Sequence, residues 1–398
     1  MGEADNILAA AAAHLGAALT CRGDMSLLEK PRRCLLVSRG ERTPQPDTPC
    51  IRSLVKETQK LAAADEVLVC GAGRTAFDAA LWTCSQSGGA AIIVLTAAPG
   101  AKDSWRELIP QRHLLVWPLA GTEARPTSPP EFGPHWRDLL MGQLSNRATA
   151  IHVRRSGHMA EVSAALVARG CKVDDPPQMP AAPTPRMEPE PTVLGSGSLQ
   201  IPEGWEFLTH YTREPDGQWP GESRSDYLRW LCSGAPFEPR DGFAALCRIL
   251  KEQRLRACGR LMPQSTPMVC FTARRPDEVL ALRRWRRGLL RWTFTSHGLA
   301  VRTSALELLG ARPVLYASEK ELRGVPPETR RFMQPHHTGR QDWAAEAEWR
   351  VAGDVDLTRV AKSEMLAVLS SAAEADHIQS DFGVTSIIIP PASTRGIR

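Results

Sequence analysis

The stretch that most constrains the fold is Glu66–Thr96, EVLVCGAGRTAFDAALWTCSQSGGAAIIVLT. Val67-Leu68-Val69-Cys70 is apolar, rich in β-branched residues and too short for a globular helix, so it predicts a buried strand. The strand ends at Gly71-Ala72-Gly73. The residues from Arg74 to Trp82 then have helix-forming composition, with apolar side chains three and four apart. Gly88-Gly89 stops the helix, and Ala91-Ile92-Ile93-Val94-Leu95 is a second continuous apolar strand. Strand, glycine turn, helix and strand together make the crossover that parallel sheets require.

A glycine turn feeding a helix leaves backbone N–H groups unpaired at the positive end of the helix dipole, which suits a phosphate. Gly71 and Gly73 shape this turn, and Arg74 and Thr75 add a charge and a hydroxyl. The competing reading is structural: the two glycines let the turn close and the helix pack on the sheet. The turn is neither a GxGxxG nor a lysine-bearing phosphate loop.

With 398 residues the chain exceeds one ordinary core, so two domains are expected. A hydrophobic content of 42% with 23% charged residues is that of a globular protein. Met1–Thr20 lacks the basic opening of a signal peptide, and no apolar run approaches a membrane span. Ten scattered cysteines form no CxxC pair, which argues against zinc or a disulfide scaffold and for a reducing cytoplasm. Cys34, Cys70 and Cys270 lie in apolar strand-like runs, where a buried inert thiol is expected. The net charge of +5 is too mild to define partners.

Residues 1–30 predict an alanine-rich helix and an irregular approach to the first strand, Cys34–Ser38. Arg39–Pro44 is a polar turn at that strand's carboxyl end, the side on which open parallel sheets bind ligands. After an amphipathic helix over Cys50–Ala64 and the organising stretch, strands follow at His113–Trp117 and Ala150–Val153. Helices are expected at Trp136–Leu144 and Ala160–Ala168. The alternation along residues 31–173 predicts an α/β fold with a doubly wound parallel sheet, in a domain of residues 1–173. Val69-Cys70-Gly71-Ala72-Gly73-Arg74, Asp78, Gly88-Gly89 and Ser156-Gly157 opening a later helix resemble the Rossmannoid domain of the DNA-processing and lysine-decarboxylase-like (SLOG-type) superfamily. That resemblance implies that the glycine turn and the Ser156-Gly157 turn sit side by side and hold phosphates of a nucleotide or nucleic acid. The glutamate-bearing signature of the phosphoribohydrolase branch is absent, so the resemblance implies binding and not that hydrolysis.

Residues 174–200 change character: seven prolines between Pro176 and Pro191, then Gly-Ser-Gly-Ser, predict a linker. Residues 201–398 then read as an α+β module on a largely antiparallel sheet. Expected strands are Trp205–Thr212, Met268–Thr272, a pair formed by Trp292–Phe294 and Leu299–Val301 around His297-Gly298, Pro313–Tyr316, a segment ending at Val351, and Ser386–Ile389. Residues 317–341 read as loop. Leu208-Thr209-His210, Val269-Cys270-Phe271-Thr272 and Glu348-Trp349-Arg350-Val351, in that order, resemble the ADP-ribosyltransferase superfamily, within it the DNA-modifying toxins and phage-exclusion proteins.

The resemblance implies NAD as cofactor and His210, Tyr211 and either Glu348 or Glu346 as catalytic residues. Cleaving the nicotinamide–ribose bond passes through an oxocarbenium-like state, which a carboxylate stabilises, while a histidine fixes the ribose and an aromatic ring stacks on nicotinamide. The structural alternative is a core histidine, and two glutamates on a solvated strand beside Arg350. His336-His337 lacks companion ligands for a metal. Seven arginines fall between Arg274 and Arg291, and Arg283, Arg284, Arg286 and Arg287 around Trp285 form a candidate nucleic-acid-binding cluster or a solvated helix face. Two functions are therefore expected. One is a nucleotide-sensing effector with an ADP-ribosyltransferase-like second domain in bacterial phage defence. The other is a non-catalytic nucleic-acid-binding protein of DNA processing. The partner is a nucleotide-derived small molecule or a nucleic acid, without a membrane, and the sequence leaves the oligomeric state open.

Overall fold

The apolar runs of the N-terminal half lie side by side as parallel strands, buried on both faces, as runs without alternation must be. The structure, a computed structural model, describes residues 2–38, 44–101, 103–119, 133–174, 201–202, 204–215, 217–234, 236–259, 262, 266–286, 291–335 and 343–389. It divides into two units, Met1–Pro183 with Asp216–Glu238, and Thr184–Pro215 with Pro239–Arg398. The chain thus leaves the first unit, enters the second, and returns once before finishing. The segment from 216 to 238, which the sequence reading places in the second domain, groups with the first.

In the first unit the elements run α1 (Glu3–Leu15), β1 (Leu19–Gly23), β2 (Arg32–Val37), α2 (Pro49–Ala63), β3 (Val67–Gly71), α3 (Thr75–Gln86) and β4 (Ala90–Val94). There follow β5 (Arg112–Pro118), α4 (Pro134–Leu144), β6 (Arg147–His152), α5 (His158–Ala168) and β7 (Lys172–Asp174). The sheet order is β1-β5-β4-β3-β2-β6-β7, parallel throughout except for β1, which pairs antiparallel with β5. From β2 the chain winds outward through β3, β4 and β5, then crosses back to place β6 on the other side of β2. The doubly wound fold expected from the sequence is present, and its switch point lies between β2 and β6. Neither β1 nor β7 was anticipated. β7 includes Asp174, the first residue of the expected linker, whose carboxylate pairs with Arg33 at 3.0 Å; residues 175–200 lie outside the described ones.

The returning segment carries α6 (Arg224–Cys232), capped by the Ser223 hydroxyl. Tyr227, Leu228 and Leu231, one face of that helix, are 0–1% exposed and belong to the same apolar core as β3 and β4.

The second unit is built on a seven-stranded sheet around β8 (Phe207–Tyr211). Its strands run in space 312–313, 348–352, 268–272, β8, 298–302, 365–369 and 385–388, antiparallel except for the last pair. The expected pairing of Trp292–Phe294 with Leu299–Val301 does not form. Strand 298–302 pairs instead with β8 and 365–369, while Trp292 faces Trp285 in a two-residue ribbon. A helix over Ala372–Phe382 and strand 365–369 add to the sequence reading, and 317–335 holds two short helices and a strand.

Candidate functional site

Three consecutive strand ends, those of β3, β2 and β6, form the carboxyl edge of the first unit's sheet around its switch point. β2 ends against β6: the Ser38 N–H donates to the His152 carbonyl at 2.6 Å, and the Ser38 hydroxyl accepts the Arg154 N–H at 3.0 Å. The polar turn expected after β2 lies, in its residues 39–43, outside the described residues.

The two glycines of the β3 turn do different jobs. A side chain on Gly71 would come within 2.9 Å of the Arg137 side chain and 3.0 Å of Phe77, so glycine there is a packing requirement. Arg137, 5% exposed, lies over the Phe77 ring at 4.7 Å and donates Nε and Nη2 to one oxygen of Asp138, at 3.0 and 2.6 Å. Gly73 has φ +80°, a backbone that side-chain-bearing residues rarely adopt, and none of the described residues stands within 4 Å of where a Cβ would lie. Gly157, with φ +107°, is equally open. Packing accounts for a glycine at 71, while a Cβ at Gly73 or Gly157 would meet none of the described residues.

Arg74 caps α3 and is exposed, Thr75 is its first helical residue, and Arg154, Arg155 and Ser156 are exposed beside Gly157. The first N–H groups of α3 and α5 have no partner within their helices. One donor of the turn is already engaged, because the Gly73 N–H donates to Asp78 Oδ1 at 2.7 Å. Asp78, 1% exposed, receives Nε and Nη2 of Arg224 on its other oxygen at 3.0 and 2.7 Å. Burial nevertheless raises its carboxyl above the usual range, with Arg224 and the Gly73 N–H pulling the other way. Asp78 lies in the first turn of an otherwise apolar helix, and nothing nearby in the sequence named its partner.

His158 opens α5, stacks on His135 at 4.3 Å between ring centroids, and places Nδ1 3.9 Å from the buried Asp138 Oδ2. No group of three or more His, Cys, Asp or Glu among the described residues is arranged to hold a metal. Burial pushes the Cys34 thiol up to about 11 and the Cys270 thiol up to about 12, and Cys70 also rises well above its ordinary value, as expected for inert thiols.

In the second unit the residues proposed for NAD chemistry separate. Thr272 is in register with both Thr209 and Glu348, so these three share one face of the sheet. His210, the next residue along β8, points to the opposite face. Its ring meets Phe271 edge-on at 5.9 Å, and Nδ1 lies 2.9 Å from the Cys270 carbonyl. Burial depresses the imidazole pKa. Tyr211 returns to the face of Glu348, packs edge-on against Phe294 at 5.4 Å, and its buried hydroxyl has no hydrogen-bond partner among the described residues. Burial raises its pKa.

Glu348 is gripped by Arg350, as set out below, and is not on a solvated strand. Glu346 ends a short 3-10 helix, Trp343–Glu346, where its carbonyl accepts the Thr272 hydroxyl at 2.5 Å. The sheet thus brings Tyr211 and Glu348 to one face and leaves His210 on the other. The core-histidine alternative describes His210's surroundings.

The arginine cluster is not a helix face. The helix ends at Ala281, and Arg286 pairs with Arg291 in the ribbon. Arg283 lies over the Trp292 ring at 4.8 Å, and the Arg284 N–H donates to the Thr293 hydroxyl at 3.0 Å. The Arg286 side chain and all of Arg287 lie outside the described residues.

No protein-family model matches the chain, and no curated protein does. Among solved structures, DNA processing protein A from Streptococcus pneumoniae is similar at 20% identity and a TM-score of 0.33, over 41% of this chain and 56% of that one. This chain therefore spans little more than half of that protein's length. DNA processing protein A from Helicobacter pylori, described with a single-stranded DNA binding mode, is similar at 18% identity and a TM-score of 0.32, over 41% of this chain and 74% of that one. The molybdenum cofactor carrier protein of Chlamydomonas reinhardtii is similar at 17% identity and a TM-score of 0.25, over 37% and 76%. None of the comparisons bears on the transferase resemblance. Among the described residues no helix is long and apolar enough to cross a membrane.

Proposed function

We propose that the first unit binds the phosphodiester backbone of a single-stranded nucleic acid along the carboxyl edge of β3, β2 and β6. The observation that carries this reading is the openness of the two glycine turns. A pocket that enclosed a mononucleotide would put walls around Gly73 and Gly157, yet among the described residues nothing lies within 4 Å of a Cβ placed at either. The two turns flank β2, so they stand about two strand spacings, roughly 10 Å, apart. Exposed Arg74, Arg154 and Arg155 line the same edge. Such a row of helix ends and guanidinium groups suits a chain of phosphates.

The test is fluorescence anisotropy of a labelled oligo(dT) on the full chain across a salt series. Affinity should fall with salt with a slope of about −0.7 per phosphate neutralised. Arg74→Ala with Arg155→Ala should flatten that slope. Absence of binding removes the reading, and full competition by a mononucleotide at equal concentration replaces it with the nucleotide-sensing one.

An NAD-using second unit and a role in phage defence rest on the strand motifs quoted above. That reading needs His210 and Glu348 in one cleft, which opposite faces of a sheet do not offer. Nicotinamide release from NAD, measured with the oligonucleotide present, tests it directly.

A further inference from the structure

One carboxylate serves the glycine turn and the returning helix together. Asp78 holds the Gly73 N–H with Oδ1 and the fork of Arg224 with Oδ2, and the two side chains of the pair are only 2% and 11% exposed. The helix that Arg224 opens is fixed beside it, since the Ser225 N–H donates to Glu107 at 2.8 Å and Tyr227, Leu228 and Leu231 are buried in the core. Chain on both sides of residues 216–238 belongs to the second unit.

We propose that residues 217–234 are a strap that responds to occupancy of the β3 turn: an anion seated on the Gly73 N–H displaces Asp78, weakens its pair with Arg224 and loosens α6. The proposal rests on the phosphate-binding reading above. Its physical basis is that ligand and Asp78 compete for one donor and carry the same sign of charge. The Asp78 carboxylate, buried at 1% exposure, has no water to screen the added repulsion. Arg224 is drawn toward the new anion, and the bidentate pair that fixes the first residue of α6 is lost. By linkage, whatever weakens the hold of Asp78 on the turn tightens the ligand by the same factor.

The experiment uses the full chain, hydrogen–deuterium exchange and oligo(dT) anisotropy. Without oligonucleotide, Arg224→Gln should speed exchange of the Tyr227–Cys232 amides, and Arg224→Lys, which keeps the charge and loses the fork, should fall between it and the wild type. An unchanged rate in Arg224→Gln overturns the clamp, whatever the ligand does. With oligonucleotide, the same amides of the wild type should exchange faster, and Asp78→Asn should bind about 5- to 150-fold tighter, the usual span of such coupling. Slower or unchanged exchange, or equal or weaker binding by Asp78→Asn, overturns the strap while leaving the binding reading intact. If no variant binds oligonucleotide, both fall.

Discussion

Arg350 grips Glu348 from two residues further along the same strand, Nε to Oε1 at 2.8 Å and Nη2 to Oε2 at 3.0 Å. Residues two apart on a strand share a face, so the fork closes without bending the backbone. Arg350 is 3% exposed and also donates to the Arg331 carbonyl at 3.0 Å and to Gln334, which ties the strand to the 331–334 segment. Its pKa is raised although burial opposes this, because Glu348 holds the charged form.

Removing Glu348 therefore leaves a buried cation without its partner. Glu348→Ala should cost about 3–5 kcal/mol of stability, and Glu348→Gln, which keeps an acceptor, less. Replacing both residues by methionine should recover much of the loss. Denaturant midpoints of the three variants check this. A stable Glu348→Gln that loses only catalytic turnover would instead support the transferase assignment.

Gly71 and Gly73 should respond to alanine in separable ways. Gly71→Ala drives a methyl into Arg137 and Phe77, an overpacking cost of about 1–3 kcal/mol. Gly73→Ala meets none of the described residues but strains a backbone at φ +80°, about 1–2 kcal/mol. Thermal melts measure both. On the binding reading, larger side chains at 73 cost no further stability and block the oligonucleotide.

His210 gives the second unit a pH signature. Its folded pKa lies below the ordinary 6.5, so the unfolded chain takes up the proton first as pH falls. Stability from this group is complete above pH 6.5 and is lost below it, down to the folded pKa, with a slope of at most about 1.4 kcal/mol per pH unit. His210→Gln should flatten the profile in that window. Urea midpoints measured from pH 7.5 to pH 5, roughly one unit either side of the ordinary value, decide it. Carboxylates such as Glu374 act lower. Although its burial opposes ionisation, the Ser370 and His297 hydrogen bonds depress its pKa, so its contribution is lost only at more acid pH.

Cleavage between residues 175 and 200 should not separate the two pieces. The C-terminal fragment carries α6, whose Tyr227, Leu228 and Leu231 are buried in the first unit. With a specific protease site inserted in that stretch, the cut halves should co-elute in size exclusion and part only in denaturant. Arg224→Gln should ease their separation. Free dissociation of the native halves would contradict the packing of α6.

The sheet of the first unit was legible because its central strands, Val67–Gly71 and Ala90–Val94, are buried on both faces and so written as unbroken apolar runs. Its edge strands were not. Leu19–Gly23 and Lys172–Asp174 pair on one side only and carry polar side chains that give no periodic signal. In the second unit Trp292 and Leu299 both read as strand, but the partner of each is set by distant residues, β8 and 365–369 among them. For the candidate site, the two glycine turns could be read locally, whereas the Asp78–Arg224 contact spans 146 residues. Ser223 and the apolar face of Tyr227, Leu228 and Leu231 announce a helix, yet nothing in that short sequence states which core it covers. Motif order indicates which strands carry His210 and Glu348 but not which face each side chain takes, and the register puts the two on opposite faces.

The return of residues 216–238 to the first unit also orders events during synthesis. The core around β3 and β4 lacks Tyr227, Leu228 and Leu231 until the ribosome has passed residue 238, although the rest of that unit ends at residue 183. At about 5–20 residues per second, the intervening 55 residues (238 − 183) occupy on the order of 3–11 s. Until Arg224 emerges Asp78 lacks its bidentate partner, and the apolar surface under α6 stands uncovered, so a nascent chain paused there is the form most exposed to chaperones and to aggregation.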